Sequence, residues 1–423
     1  MTEETEHQER DDREPLAPPS TTGIADSTPT TNSPSATGGR IPALDVLRGI
    51  AILGTLASNI WIFTAAIGSA TAEQAGLLHA ISAWVPNGKF LGLLTIMFGI
   101  GLEIQRQSAR RAGQKWPGKY PWRALLLFVD GVLNYVLVVQ FDVLRAYAVV
   151  SVLAAFLLLT SEKIQWWLIG AFLTAHFAVL ALPGLLVINS RPEGAAADAG
   201  AFDEQRGRLA DESGARLMDF AGPSWWDSVV LNVKNLGFGF GFGSEFFTIL
   251  LMGTALFLLG AKLYRIGIFT DRRRRLRLWM IAIGFGIALP LDYILGMTSV
   301  AVSGLQGLSR YGTAFVVALG ILALVAEYVD RRGRIGMPGR LMSYVGKMAL
   351  SCYLLQNILG VIAQRMIFSQ PIFQNVNPTL GTYAAFLLIA AILIVFSWAW
   401  LQRFSRGPFE LVWNWTYRRL SRE

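Results

Sequence analysis

An all-α polytopic membrane protein is the fold class the sequence predicts, and three observations carry it. Of 423 residues, 53% are hydrophobic and only 16% charged, against about 25% charged in an average soluble domain. The mean hydropathy is +0.44, more apolar surface than water-soluble cores of this size hide. Apolar runs of roughly 18–25 residues recur from Leu44 onward, each able to cross a ~30 Å hydrocarbon layer at ~1.5 Å per residue. Lipid admits only helices and closed barrels, and these runs are too long and continuous for barrel strands.

Taken in order, residues 1–40 predict a disordered acidic tail. They carry eight acids, five prolines, many Ser and Thr, and hardly a large apolar residue, too little apolar surface to offset the entropy of ordering. No basic segment followed by an apolar stretch opens the chain, so no cleavable signal peptide is expected. About ten spans follow, at 44–67, 88–105, 124–140, 143–160, 164–188, 245–264, 278–297, 311–328, 343–367 and 379–401. They make a transmembrane domain over 41–402. Residues 189–243 form the one long loop of that domain, with Trp225 and Trp226 suited to an interface. In its last part, Gly237–Gly243 alternates Gly with Phe, a flexible apolar stretch that could re-enter the bilayer. Residues 403–423 mix Trp413, Trp415 and Tyr417 with Arg418 and Arg419, the pattern of an amphipathic helix lying on a membrane surface.

Orientation follows from Lys and Arg placement. Arg106, Arg110, Arg111, Lys115, Lys119 and Arg123 lie between the second and third spans, with no acid among them. Lys262, Arg265, Arg272–Arg275 and Arg277 lie between the sixth and seventh. Arg331, Arg332, Arg334 and Arg340 follow the eighth, and Arg403 and Arg406 the tenth. With ten spans all these fall on one side, while 189–243 holds five basic and eight acidic residues. Both termini are therefore expected in the cytoplasm. The net charge of +8 is a topology signal, and no nucleic-acid partner is expected; membrane lipids are.

Several chemistries lack their residues. A single cysteine, Cys352, excludes an intramolecular disulfide and a cysteine zinc site. Three histidines, with His7 in the tail, leave little for a metal centre, and none is expected. Neither GxxxxGK[ST] nor GxSxG occurs, so this chain alone has no phosphate loop for ATP-driven transport and no nucleophile elbow.

Ionisable groups inside spans are costly and point to function by default. Asp45 and Arg48 sit three apart on one helical face. They read as an intrahelical pair with Arg48 snorkelling, or as a group meeting the phosphates of a nucleotide-type donor. Asn59, about 21 Å further along that helix, suits interhelical bonding or contact with a reacting oxygen. His79, in the first outer loop, is a surface residue or a general base, its ordinary pKa near 6.5 suiting the second role. His176 reads as a buried hydrogen-bonded residue. Asp142 and Arg145 share a short outer turn as an i,i+3 pair. Asp130, Glu245 and Asp292 are harder to dismiss, and Pro290 could free a carbonyl beside Asp292. Together Asp142, Arg145, Asp292 and Glu245 are candidates for an acceptor or coupling site. Glu103, Glu327 and Lys347 lie near span ends and can reach the interface.

RIPALDVLRGIAILGTLASNI (40–60), FLGLLTIMFGIGLEIQ (90–105), YVGKMALSCYLLQNILG (344–360) and FSRGPFELVWNWTYRRL (404–420) resemble the YeiB-like family of bacterial inner-membrane proteins, a domain-of-unknown-function family. FDVLRAYAVVSVL (141–153) and LLMGTALFLLGAKLYRIGI (250–268) fit its middle; Ser351–Cys352 departs from a common Thr–Asn, and the acidic tail is long. The resemblance implies a bacterial cytoplasmic membrane. The opening motif is also similar to that of membrane acyltransferases such as heparan-α-glucosaminide N-acetyltransferase, where LDxxRG is followed by an Asn and then a catalytic His. That likeness implies acyl transfer from cytosolic acyl-CoA to an outer-face envelope glycan or glycolipid. His79 would be the base, Asn59 would orient acceptor or thioester, and Arg48 with Asp45 would belong to the donor site. The competing expectation is a secondary transporter or flippase, with Asp130 and Asp292 carrying coupling protons; no convincing inverted repeat accompanies it. A scaffold for envelope machinery is the third.

Overall fold

In the computed structural model, the described residues are 41–68, 76–140, 142–189, 224–237, 240, 245–297 and 306–420. The tail 1–40, most of the 189–243 segment and the larger part of Gly237–Gly243 lie outside them, and so do the expectations made there. Among the described residues every regular element is helical. The α-helices of eight residues or more are α1 Pro42–Phe63, α2 Leu77–Trp84, α3 Lys89–Arg111, α4 Tyr120–Leu137, α5 Leu144–Leu157, α6 Glu162–Asn189, α7 Trp225–Lys234, α8 Glu245–Arg265, α9 Arg274–Ile283, α10 Leu289–Met297, α11 Ala314–Arg332, α12 Met337–Lys347, α13 Ala349–Ala363, α14 Pro378–Leu401 and α15 Pro408–Leu420. Proline at the first helical turn starts α1, α4, α12 and α14, where its missing N–H is no loss.

Among the described residues eight stretches are long and apolar enough to cross a membrane, and the remaining two of the ten expected are the α4–α5 pair. The 14 residues of α5 reach only about 21 Å. Asp142 and Arg145 at the α4–α5 turn, expected in an outer turn, are buried. The turn is covered by α7. Its Trp225 Nε1 donates to the Leu137 carbonyl at 2.9 Å and its Asn232 Nδ2 to that of Val136 at 3.1 Å. Those carbonyls close α4 and lack intrahelical partners.

Between helices in lipid, close backbone approach replaces the hydrophobic drive. A Cβ on Gly49 of α1 would collide with the Met342 carbonyl of α12, and one on Gly346 of α12 with the Asp45 carbonyl. Gly99 of α3 lies on the Phe257 backbone of α8, and Gly260 of α8 on the Ile96 carbonyl of α3. These crossings make α1, α3 and α8 the centre. Their apolar windows are 61–72% buried, against 17–28% for α6, α9–α10 and α14 on the rim.

Two expected spans are interrupted. The 343–367 span breaks at Met348 (φ −119°, ψ 36°) between α12 and α13. The helix of the 278–297 span passes through a π turn, Gly284–Ala288, just before Pro290. A second π turn, Ser309–Thr313, leads into α11. One end of the bundle gathers the cations. There the Glu103 carboxylate accepts from Arg106, and that of Glu162 from Lys262 and Arg265. The Glu327 carboxylate accepts from Arg274, Arg277 and Arg331. Arg277 is fully buried and also donates to the Ile268 and Thr270 carbonyls, so this arginine pins the loop before α9.

Candidate functional site: two chambers separated by Tyr353

A cavity of about 480 Å³ opens near the basic end. Arg48, Arg123, Lys347 and Arg406 contribute its cations and Glu410 its carboxylate; Ile52, Leu94, Met97, Phe98, Leu127, Leu144 and Leu350 give it apolar walls. Four cations to one carboxylate favour an anion, and the walls favour an apolar appendage. Arg48 reaches the cavity over Gly101 of α3, whose Cβ would lie 3.8 Å from Nη2. Its partner Asp45, one turn earlier, is 3.8 Å away and buried, the i,i+3 pair expected from sequence.

The helix break at Met348 shapes this cavity, because Gly346, Lys347, Ala349 and Leu350 all line it. The break exposes the N-terminus of α13, whose free N–H groups need an acceptor. Glu410 of α15 supplies one: its Oε1 accepts from Leu350 N at 2.9 Å and Ser351 N at 3.2 Å, and Oε2 accepts from Ser351 Oγ. Helix α15 is thereby fastened across the cavity, where its Trp413 and Asn414 form wall. Arg123 lies over the rings of Trp413 and Tyr417, at 5.5 and 4.5 Å.

A second chamber, about 30 Å³, lies toward the other end, lined by Thr55, Ser58, Asn59, Leu91, Val143, Glu245, Arg310 and Tyr353. Tyr353 lines both spaces. Here Tyr311 Oη donates to Glu245 Oε1 at 2.9 Å and Arg310 Nη2 to the same oxygen at 3.2 Å, while Arg310 Nη1 donates to Asn87 Oδ1 at 2.6 Å. The π turn puts Arg310 and Tyr311 side by side on this carboxylate. The Tyr311 carbonyl accepts from His176 Nε2 at 2.9 Å, so His176 is the buried, hydrogen-bonded residue expected from sequence and holds the turn.

Behind the chamber, Asp142 Oδ2 accepts from Arg145 N at 3.1 Å and lies 3.7 Å from Arg145 Nε; Oδ1 accepts from Asn134 Nδ2 at 3.1 Å. Arg145 stacks on Tyr135, 3.9 Å from its ring centre, and its Nε and Nη1 make no hydrogen bond among the described residues. Asp292 forms a separate buried group: Lys89 Nζ is 2.5 Å from its Oδ2, and Ser309 Oγ and Thr313 Oγ1 donate to Oδ1. The carboxylate is held by three groups, on α3 and the π turn, rather than by a freed carbonyl beside Pro290.

The candidates thus divide. Asn59 and Glu245 share the small chamber, and Arg48 lies in the large one with Asp45 behind it. Asp142, Arg145 and Asp292 sit in packed polar clusters. His79 lines neither space: its Nδ1 is 3.1 Å from Thr379 Oγ1, and its ring meets Trp61 edge-on at 4.8 Å. Asp130 is half-buried on α4 with Oδ2 unbonded among the described residues. Sequence reasoning did not single out Arg310, Tyr353 or Glu410. The last two lie inside the C-terminal motifs 344–360 and 404–420 and could have been marked there; Arg310 had no signal beyond its charge at a span end. No group of three or more possible metal ligands occurs among the described residues.

Fold and cavity define a helical membrane protein with an anion-favouring chamber. Residues 263–419 match the family model described as Protein of unknown function (DUF418). The chain is 24% identical over 400 residues to the uncharacterized protein YxaH of Bacillus subtilis (strain 168), covering 90% of this chain and 95% of YxaH. It is 27% identical over 393 residues to the uncharacterized protein YeiB of Escherichia coli (strain K12), covering 88% and 94%. The YeiB-like resemblance of the sequence motifs is borne out; neither relative's description carries an activity.

Proposed function

We propose that this protein is a transmembrane acyltransferase, lying in a bacterial cytoplasmic membrane with ten spans and both termini in the cytoplasm. It takes an acyl group from cytosolic acyl-CoA to a hydroxyl or amine of an envelope glycan or glycolipid on the far side. The observation that carries the reading is the pair of chambers on either side of Tyr353. The larger has cations at the basic end for the donor's phosphates, with Arg48 among them, and apolar walls for its arm and acyl chain. The smaller is polar, carries Asn59, and lies where an acceptor would arrive. Among the described residues, Tyr353 is the one that lines both spaces, so its side chain is the place where acyl group and acceptor would meet.

Purified protein in vesicles tests this. Radiolabelled acetyl-CoA or palmitoyl-CoA should bind with a dissociation constant that Arg48→Ala weakens at least tenfold, and label should pass to glycan or lipid acceptors. Absence of donor binding would end the proposal. The broken α12–α13 helix at the cavity favours a second reading, a secondary transporter, since discontinuous helices mark many transporter sites. Solute counterflow in vesicles without an acyl donor would support it instead.

A further inference from the structure

We propose that Glu245, rather than His79, is the general base of acyl transfer, with Asn59 as the hydrogen-bond donor to the tetrahedral intermediate. This inference rests on the acyl-transfer reading and concerns the small chamber alone.

The placement of Glu245 carries the argument. Both of its hydrogen bonds, from Tyr311 Oη and Arg310 Nη2, fall on Oε1. Oε2 has no partner among the described residues, and a carboxylate with one oxygen anchored and one open is oriented for proton transfer. The anchors are themselves fixed, since Arg310 is tied to Asn87 and the Tyr311 carbonyl to His176. Asn59 complements it. An asparagine within a span that served as interhelical glue would be bonded to a neighbour, yet its amide makes no hydrogen bond to any described residue and instead lines the chamber. An uncommitted N–H donor beside a reacting carbonyl is what an oxyanion requires. His79 is excluded by its place, because it lines neither chamber and packs instead against Thr379 and Trp61. The size fits as well. About 30 Å³ accommodates one or two waters, so a single hydroxyl enters while the body of the acceptor stays outside.

The step balances as follows. The acceptor hydroxyl oxygen attacks the thioester carbonyl carbon and its proton passes to Glu245 Oε2. The carbonyl oxygen becomes the oxyanion bonded to the Asn59 amide. Collapse breaks the C–S bond, and the leaving thiolate takes the proton back from Glu245. The products are the acyl ester and CoA thiol. Water in the chamber is the simplest acceptor, giving the free acid and CoA thiol.

That slow hydrolysis is the test, since it needs no knowledge of the natural acceptor. CoA thiol release from acetyl-CoA is followed with a chromogenic disulfide in proteoliposomes bearing the full chain; Cys352 is buried and silent. Donor binding, measured in parallel, reports an intact fold and donor site. Glu245→Gln is expected to lose at least a hundredfold in rate with donor binding unchanged, within the usual range for a general base. Glu245→Asp should keep a measurable part of it, and His79→Ala should stay within threefold of wild type. Should Glu245→Gln abolish donor binding, Glu245→Asp decides: binding with a reduced rate supports the base, and a wild-type rate overturns it. A wild-type rate in a donor-binding Glu245→Gln overturns the inference, as does a hundredfold loss in His79→Ala alone; acyl transfer itself survives both. Wild-type protein that binds no acetyl-CoA removes the acyl-transfer reading, and this inference with it.

Discussion

Asp142 and Arg145 show how little an individual charge in the bundle is worth without its partner. Both are at most 5% exposed, and water cannot compensate either one. Replacing Asp142 by Asn leaves a buried guanidinium with the Tyr135 ring as its main remaining contact, a loss of about 3–5 kcal/mol for breaking a buried pair. The thermal midpoint of the purified protein should fall sharply. The double variant Asp142→Asn, Arg145→Met should recover much of that loss, because an apolar replacement of both charges removes the desolvation cost together with the attraction. A double variant as unstable as the single one would mean that Arg145 has another obligatory partner. Glu410 is a second case. It satisfies two N–H groups of α13, so Glu410→Ala should cost about 0.5–2 kcal/mol, the range for a lost N-cap. It should also speed tryptic cleavage at Arg403 and Arg406 as α15 loosens.

Among elements, the crossing of α1 and α12 is the most demanding. Gly49 and Gly346 let the two backbones touch, and a Cβ at either position meets a main-chain carbonyl that cannot rotate away. Gly346→Ala should therefore separate the helices, costing at least the ~1–3 kcal/mol typical of overpacking. It should also distort the cavity wall at Lys347, seen as weakened acyl-CoA binding in whatever protein still folds. Gly101→Ala is the control. Only the tip of Arg48 lies near its Cβ, at 3.8 Å, so the fold should tolerate it and thermal stability should change little. The break at Met348 belongs to this scale too. The residues 343–367 are apolar enough to read as one continuous span. What divides them is packing, because α12 follows α1 while α13 turns away and receives the Glu410 carboxylate at its start.

For the molecule as a whole, the segregation of cations is the testable feature. With Cys352 buried, single cysteines at Arg274 and Arg334 should label from the cytoplasmic side with a membrane-impermeant maleimide. One at Ser224, ahead of α7, should label only from the outer side. Labelling of all three from one side would overturn the ten-span arrangement. The central helices α1, α3 and α8 and the rim helices α6, α9–α10 and α14 are both strongly apolar, so hydropathy finds them equally well. Gly49, Gly99 and Gly260 of the central helices sit at backbone crossings, whereas Gly170 on the rim helix α6 meets nothing within 4 Å and, of the rim glycines, Gly284 meets the Gly320 backbone.

The sequence by itself determined that the chain is helical, membrane-embedded and basic at one end. Those properties follow from summed transfer energies and charge counts, which need no knowledge of neighbours. It also marked the close i,i+3 pairs Asp45–Arg48 and Asp142–Arg145, because helix geometry fixes such spacings locally. Only the tertiary structure decided that Asn59 shares a chamber with Glu245 and Arg310 across intervals of 186 and 251 residues in the chain. It alone placed His79 away from them and set Tyr353 between the two chambers. Such neighbours are chosen by how glycine-lined helices cross and where helices break, and one-dimensional patterns of charge and hydropathy carry no record of either.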